Sequence, residues 1–384
     1  MSDLQASLYR LLVLVTLCTA AFGASVRAEL VPEETCPLAR QPYSVDTPLI
    51  DLLLNPKARD IVQKHGLLDK VPPALANAQP PTFLAIVSAR IVSKYFGLSE
   101  LTVDALASDL AAIQVTTDDS RARCARYDIE PPQLAMPATR PAILVFDKSV
   151  GFRDGPSVDA ANALLKRTAS NRGWALVLTS NAAVFDASLL QHFDAVVWNN
   201  VSGDVLTIPQ RSALRNYIES GGGFAGFHGS GGDPLYLWDW YADSLIGARF
   251  TGHPMAPQFQ DVRLIVEDHK SAITRGLGSG WMLKDEWYSF KESPRARGAH
   301  ILVTIDEASY NPVDGARDLR MGDHPIAWTR CVGKGRSFYS AIGHRPETYS
   351  DAKAAALLEG GIAWAAGLLS SSCRDDRKES STNE

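Results

Sequence analysis

Cysteine is scarce in this chain, five in 384 residues, and none of the five stands where a strand turns sharply through glycines. Cys331, the one cysteine inside the α/β part, falls on a late strand, so a thiol nucleophile is not expected. Long basic runs are also missing, and the formal net charge is -5. Nucleic-acid binding, which needs a positive stripe or patch, therefore has no electrostatic footprint here. The apolar run over residues 11–24 is too short for a membrane span, which takes about 20 residues. Preceded by Arg10 and followed by Val26-Arg27-Ala28, it reads instead as a secretory signal over residues 1–28, which places the mature chain in the periplasm or outside the cell. Export agrees with the remaining cysteines. Cys18 leaves with the signal, and Cys36, Cys124, Cys331 and Cys373 can form two disulfides in one of three pairings. Cys36–Cys124 and Cys331–Cys373 are the expected pairs, with four unpaired thiols as the alternative.

Three chemical signatures are absent as well. No two histidines have the close helical spacing of a zinc motif, so any metal site has to be assembled by the fold. Ser230 does not fit G-x-S-x-G, because the residue two before it is His228. Asp285 and Glu286 are adjacent, so on a strand they point to opposite faces and are not by themselves a glycosidase pair.

What is present divides along the chain. Residues 29–115 read as a small helical module, with helical stretches near 47–53, 56–65, 81–96 and 99–114 and a break at Val71-Pro72-Pro73. In the last stretch Leu101, Ala105, Leu106 and Leu110 recur at helical spacing. The module has no cluster of catalytic residue types and is expected to serve packing or interaction. Residues 116–140, with Pro131, Pro132 and Pro137, read as a linker. From Ala142 the pattern changes. Ala142-Ile143-Leu144-Val145-Phe146 is a continuous apolar run, as expected of a strand buried on both faces. Strands at 174–178, 195–198 and 224–227 alternate with helices at 157–170, 187–192 and 207–220, the order of a doubly wound α/β sheet. Strands at 261–266, 300–305, 326–331 and 337–342 follow, the last two joined at Gly333-Lys334-Gly335, before a closing helix at 351–366. The tail from 369 has the composition of a disordered segment.

Ligands of open α/β sheets bind beyond the carboxyl ends of the strands. Four loops there are rich in polar groups: 147–154, 198–204, 227–233 and 343–347. The glycines of 221–229 frame a turn that in related architectures carries a nucleophile, and here His228 takes that place. His253 and His324 stand in Gly-His-Pro and Asp-His-Pro contexts, and Glu286 lies among aromatic residues. Histidines near neutral pKa suit proton transfer or a divalent metal. The candidate catalytic residues are accordingly His228, His324, His253 and Glu286, with His228 or His324 as base. Arg153, Asn199, Asn200, His344, Arg345 and Glu347 are candidates for substrate binding, with Trp238, Trp240 and Trp287 as stacking surfaces. No cofactor is called for by a motif; if a divalent metal binds, His228, His253 and His324 are its candidate ligands.

Residues 141–368 resemble the ThuA-like (trehalose-utilisation) domain. The resemblance rests on Gly151-Phe152-Arg153, Gly221-Gly222-Gly223-Phe224-Ala225-Gly226-Phe227-His228, Gly252-His253-Pro254, Asp285-Glu286-Trp287-Tyr288, Asp323-His324-Pro325-Ile326-Ala327-Trp328, Gly335-Arg336-Ser337-Phe338-Tyr339, and Gly343-His344-Arg345-Pro346-Glu347-Thr348-Tyr349, in that order. It implies a class I glutamine-amidotransferase-like, flavodoxin-like fold without the amidotransferase nucleophile, and a small carbohydrate substrate such as a disaccharide or its 3-keto derivative. One position departs from the family's pattern, which commonly has a histidine after Gly-Phe-Arg where this chain has Asp154. The alternative to an enzyme is a non-catalytic sugar-binding or assembly protein, with Asp154 as the mark of lost chemistry.

Overall fold

The structure, a computed structural model, describes residues 30–72 and 78–369. The expected signal at 1–28, Cys373 and its pairing with Cys331, and nearly all of the expected tail lie outside those residues.

The N-terminal part consists of short helices, most of them capped by a side chain at their start. Asn55 ends α1 (Leu49–Leu54) and caps α2 (Pro56–Lys64), its side chain accepting from Ala58 N at 2.9 Å, with Pro56 in the first helical position. The single helix expected over 81–96 is broken. A 3-10 turn at Phe83–Ala85 comes first, and Ser88 then adopts an extended conformation and caps α3 (Ala89–Tyr95). Ser99 caps α4 (Glu100–Ala111).

The stretch expected as a linker carries α5 (Thr117–Cys124), started by a Thr116–Asp119 capping box. Its last residue is bonded to Cys36, a disulfide spanning 88 positions, which contributes on the order of 2–5 kcal/mol. Arg126 pairs with buried Asp51, Tyr127 OH donates to Asp204 at 2.7 Å, and Asp128 accepts from Lys148 Nζ at 2.6 Å. These contacts fasten the segment to both neighbours. The apolar residues on the two sides of it, Leu49, Leu52 and Val87 with Leu144, Val145 and Val150, belong to one continuous core.

The strands in chain order are β1 (Ala142–Phe146), β2 (Ala175–Thr179), β3 (Ala195–Asn199), β4 (Gly223–Phe227), β5 (Phe250–Gly252), β6 (Gln260–Val266), β7 (Gly280–Asp285), β8 (Ser289–Phe290), β9 (His300–Ile305), β10 (Val313–Asp314), β11 (Arg317–Asp318), β12 (Pro325–Val332) and β13 (Gly335–Ser340). Nine form the central sheet in the order β2-β1-β3-β4-β13-β12-β9-β6-β7. The pairings from β2 to β13 are parallel and those from β13 to β7 antiparallel. The parallel half has the flavodoxin-like order, with its switch point between β1 and β3. The residues of β1, β3 and β4 are all buried. In β6 buried and exposed residues alternate, as in a sheet with one solvated face.

Helices α6 (Gly155–Arg172), α7 (Ala187–Leu190), α8 (Ile208–Glu219) and α9 (Ala352–Ala365) connect and cover the parallel half. On α9, a Cβ at Gly361 would lie 2.4 Å from the Phe338 ring, so glycine is what lets the helix seat on β13. Between β4 and β5 runs a π-helical segment, Trp240–Ile246, that the sequence pattern does not announce.

Candidate functional site

The candidate site forms where β3, β4 and β13 end side by side and the end of β7 reaches the same place. Among the described residues two non-glycine residues have a left-handed backbone, Asn200 at φ 54° and His228 at φ 35°, and both lie directly after a parallel strand. Such conformations persist only where surrounding contacts enforce them. Asn200 is held by Tyr349 and Asn199, with Nδ2 donating at 3.0 and 2.9 Å, and its Oδ1 accepts from Gly229 N at 3.2 Å. The peptide oxygen of His228 accepts from Tyr339 OH at 2.7 Å, and its ring stacks on Tyr288 at 4.2 Å.

The His228 ring is orientated by the main chain. Nδ1 lies 2.7 Å from the carbonyl of Ala341, which can only accept, so Nδ1 carries the proton. Nε2 then points inward, 3.1 Å from His344 Nδ1 and 3.3 Å from Glu286 Oε2.

Asp285 and Glu286 do opposite jobs, as adjacent residues on a strand end should. Asp285 accepts from Gly343 N at 2.8 Å, His344 N at 3.1 Å, Arg345 N at 3.2 Å and Thr348 Oγ1 at 2.9 Å, which clamps the loop that presents His344. Burial pushes its carboxyl above the usual range, although His228 and these bonds oppose the shift. Glu286 faces the histidines. Its Oε1 accepts from Gln258 Nε2 at 2.6 Å and lies 3.2 Å from His253 Nδ1, while Oε2 is 3.1 Å from His344 Nδ1. Burial alone would raise its pKa, but the surrounding imidazoles prevail and hold it well below the ordinary value. The same balance acts on His344. Burial disfavours its cation, yet Glu286 and then Asp154 raise its pKa overall. His253 is shifted down, since burial outweighs the pull of Glu286.

Asp154 begins α6, with Oδ2 3.8 Å from His344 Nε2 and 2.5 Å from Ser157 Oγ. The position that departs from the family pattern is therefore in contact with the site. His228, Glu286 and His344 are the one trio among the described residues whose ligand-type atoms all lie within 4.8 Å of one another.

Other expected residues fall at varied distances from this centre. Phe259 packs against His344 at 5.2 Å and under the Arg345 guanidinium at 5.8 Å. Arg345 also reaches Glu347 at 3.2 Å, and exposed Arg153 donates to the carbonyl of Asp147 at 2.6 Å, so these three sit on the loops around the cluster. Asn199 turns inward and ties β3 to α6 through Val158 O and Asn162.

The structure places the remaining expected residues away from this cluster or commits them to other partners. His324 does not join the group: Nδ1 bonds Glu307 at 2.7 Å and Nε2 bonds the Tyr288 carbonyl at 2.9 Å, so neither nitrogen is left for a substrate or metal. The metal set His228, His253 and His324 is thus not brought together as such. Trp287 is buried in the core with Nε1 bonded to Gln260 O at 2.8 Å, which removes it as a stacking surface. Trp238 and Trp240 pack against each other, tilted, at 5.0 Å beside α8, where Trp240 Nε1 bonds Glu219 at the end of that helix. Glu219 adjoins the start of β4, the opposite end of the strand from His228. Ser230 is committed too, donating to Trp198 O at 2.9 Å and accepting from Val201 N at 3.1 Å, so it is no nucleophile. Sequence reasoning missed Gln258, which has no motif, and Tyr288, whose ring supports both His228 and His253.

The family model for ThuA, described as trehalose utilisation, matches residues 142–365, more than half of the chain. A crystal structure of a ThuA-like protein from Bacteroides uniformis is similar with a TM-score of 0.52 at 23% identity, over 62% of this chain and 95% of that one. Another, from Parabacteroides merdae, gives a TM-score of 0.44 at 17% identity, over 61% of this chain and 93% of that one. None of the curated proteins matches the chain. Among the described residues no helix is long and apolar enough to cross a membrane.

Proposed function

The chain belongs to the ThuA (trehalose utilisation) family, and from that premise we propose that it is an exported enzyme that moves a proton next to the keto group of a 3-keto disaccharide or glycoside. One observation carries the reading: a single buried carboxylate, Glu286, is shared between His253 on one oxygen and His228 and His344 on the other. Of the three imidazoles, His253 is the most open, its side chain 21% exposed against 3% for His228 and 12% for His344. Its Nδ1 faces Glu286 and the Pro254 carbonyl, and Nε2 has no hydrogen bond among the described residues. His253 is the base in this reading. Its Nε2 takes the proton from carbon, and the C–H electron pair moves into the carbonyl to form an enolate. The guanidinium charge of Arg345, on the loop that also presents His344, stabilises the oxygen that becomes negative. The proton is then returned to a neighbouring carbon, or the enolate expels the substituent on the next carbon and the leaving oxygen takes the proton. Arg153 and Glu347, on the loops around the cluster, serve the sugar hydroxyls. Export is supported by the leader-like residues 1–28 and by the Cys36–Cys124 disulfide.

The test is incubation of the mature chain with trehalose and with 3-keto-trehalose, followed by mass spectrometry of the products. Turnover of the keto-sugar alone is expected, falling about 10²–10⁴-fold in His253→Ala. Unchanged turnover in that variant would remove His253 as base. A sugar-dependent rise in melting temperature without product would overturn the enzyme in favour of a binding protein.

A further inference from the structure

We propose that His228 Nε2, Glu286 Oε2 and His344 Nδ1 are the three protein ligands of a divalent transition-metal ion, with zinc as the best match. The site goes beyond the keto-sugar reading, because it stands or falls on metal binding whatever the substrate.

The first argument is metric. The three atoms form a nearly equilateral triangle with edges of 3.1, 3.1 and 3.3 Å. Tetrahedral zinc with bonds of about 2.0–2.1 Å needs ligand atoms about 3.3 Å apart, so one ion fits over the face of this triangle. Two imidazoles and one carboxylate are also a donor set of catalytic zinc, in which the fourth position stays open for water or a substrate oxygen.

The second argument is orientation. Two of the three ligands have their other polar atom hydrogen-bonded from outside, which turns an electron pair toward the shared centre. The Ala341 carbonyl fixes the proton of His228 on Nδ1, leaving Nε2 as an acceptor. Gln258 and His253 occupy Glu286 Oε1 and leave Oε2 directed at the two rings. Asp154 faces His344 Nε2 at 3.8 Å and favours the tautomer whose Nδ1 is the acceptor.

The third argument counts donors. In the neutral tautomer that a metal ligand requires, His228 Nε2 and Glu286 Oε2 are two acceptors 3.3 Å apart and 3% and 2% exposed. A proton on His344 Nδ1 can be directed at one of them, and the other contact still sets acceptor against acceptor. A cation bonded to all three resolves the conflict, and unresolved contacts of this kind are costly in a buried place. His253 is outside the triangle. It touches only the other oxygen of Glu286 and so remains available beside the ion.

The test uses the mature chain stripped with a chelator and titrated with Zn(II) by calorimetry and with Co(II) by visible absorption. One ion per chain is expected, with the intense bands of four-coordinate Co(II). Glu286→Gln and His344→Gln, both close in shape to the native residues, should each weaken binding by about 100-fold or more. His324→Ala should bind as the parent does. Circular dichroism identifies any variant that has not folded, and the remaining ligand variant then decides. Absence of stoichiometric binding in the parent, or parent-like affinity in a folded ligand variant, would overturn the site. Mn(II) or Fe(II) bound in preference to zinc keeps the three ligands and overturns the choice of ion. Metal binding without keto-sugar turnover sinks the function proposed above and keeps this site, whereas turnover unaffected by chelation, with no ion bound, does the reverse.

Discussion

Two glutamate–histidine groups among the described residues, with Glu286 buried and Glu307 partly buried, differ in how many rings share the carboxylate. At Glu307–His324 a single ring serves one carboxylate. The imidazole gives one nitrogen to the carboxylate and the other to the Tyr288 carbonyl, and Glu307 also accepts from Met321 N at 2.6 Å and Gly322 N at 3.1 Å. At Glu286 three acceptor-capable atoms converge instead, two of them turned there by a hydrogen-bonded partner behind them. The first arrangement is complete as protein. The second is complete only with a cation or a reacting group added. Convergence of this kind, more than burial or the presence of histidine, separates a site from a structural pair.

The most direct way to break the contrast is to neutralise each carboxylate without changing its shape. Glu286→Gln should lower turnover of the keto-sugar by about 10²–10⁴-fold, since it removes the group shared by all three site histidines. Glu307→Gln should leave turnover within about threefold while lowering the urea midpoint. Equal losses in the two variants would mean that both pairs serve the fold alone.

A second comparison reads stability. His324→Ala leaves Glu307 and the Tyr288 carbonyl facing the vacated space, and should cost about 2–4 kcal/mol in urea unfolding. His253→Ala, on a side chain that remains partly exposed, should cost less than about 1 kcal/mol. If His253 proved as costly as His324, the open group would be structural after all.

Sequence patterning reached the fold well because the parallel strands announce themselves locally. The run Ala142–Phe146 is apolar at every position, and β3 and β4 end in polar or glycine-rich turns. It failed at β7, where apolar Met282 is exposed and Asp285 is buried, and at 116–140, where prolines and acidic residues conceal a helix whose start is a capping box and whose end is held by the disulfide. The candidate site was legible one loop at a time. His228, Glu286, His253 and His344 each stood in a marked context, but His324 stood in one just as marked, Gly-Asp-His-Pro, and lies apart from them. Only tertiary structure separates them, because the deciding contacts join positions far apart in the chain: 116 residues between His228 and His344, and 58 between Glu286 and His344. Trp287 shows the same limit. An aromatic residue beside a carboxylate looks alike whether it faces a sugar or the core.

The smallest expected effect concerns Asp154, where the chain departs from its family. Were this residue the mark of a dead site, it would be expected to stand apart from the histidines. It lies instead 3.8 Å from His344 Nε2, on the far side of the ring from Glu286, and contributes to the raised pKa of that ring. That position suits a residue that orients His344 without touching substrate. Asp154→Asn keeps a residue suited to starting a helix and an oxygen near Nε2, but loses the charge. It should weaken zinc binding by about tenfold, as outer partners of metal-bound histidines do, and leave the melting temperature of the metal-free protein within about 2 °C. Asp154→Glu should recover part of the affinity, which a purely structural role for the helix start would not require. Restoring the family's histidine with Asp154→His offers His344 a neutral partner in place of a charged one. If that variant bound metal and turned over the keto-sugar better than the parent, Asp154 would be an impairment, and the open carboxylate–histidine group would be working below its capacity in this chain.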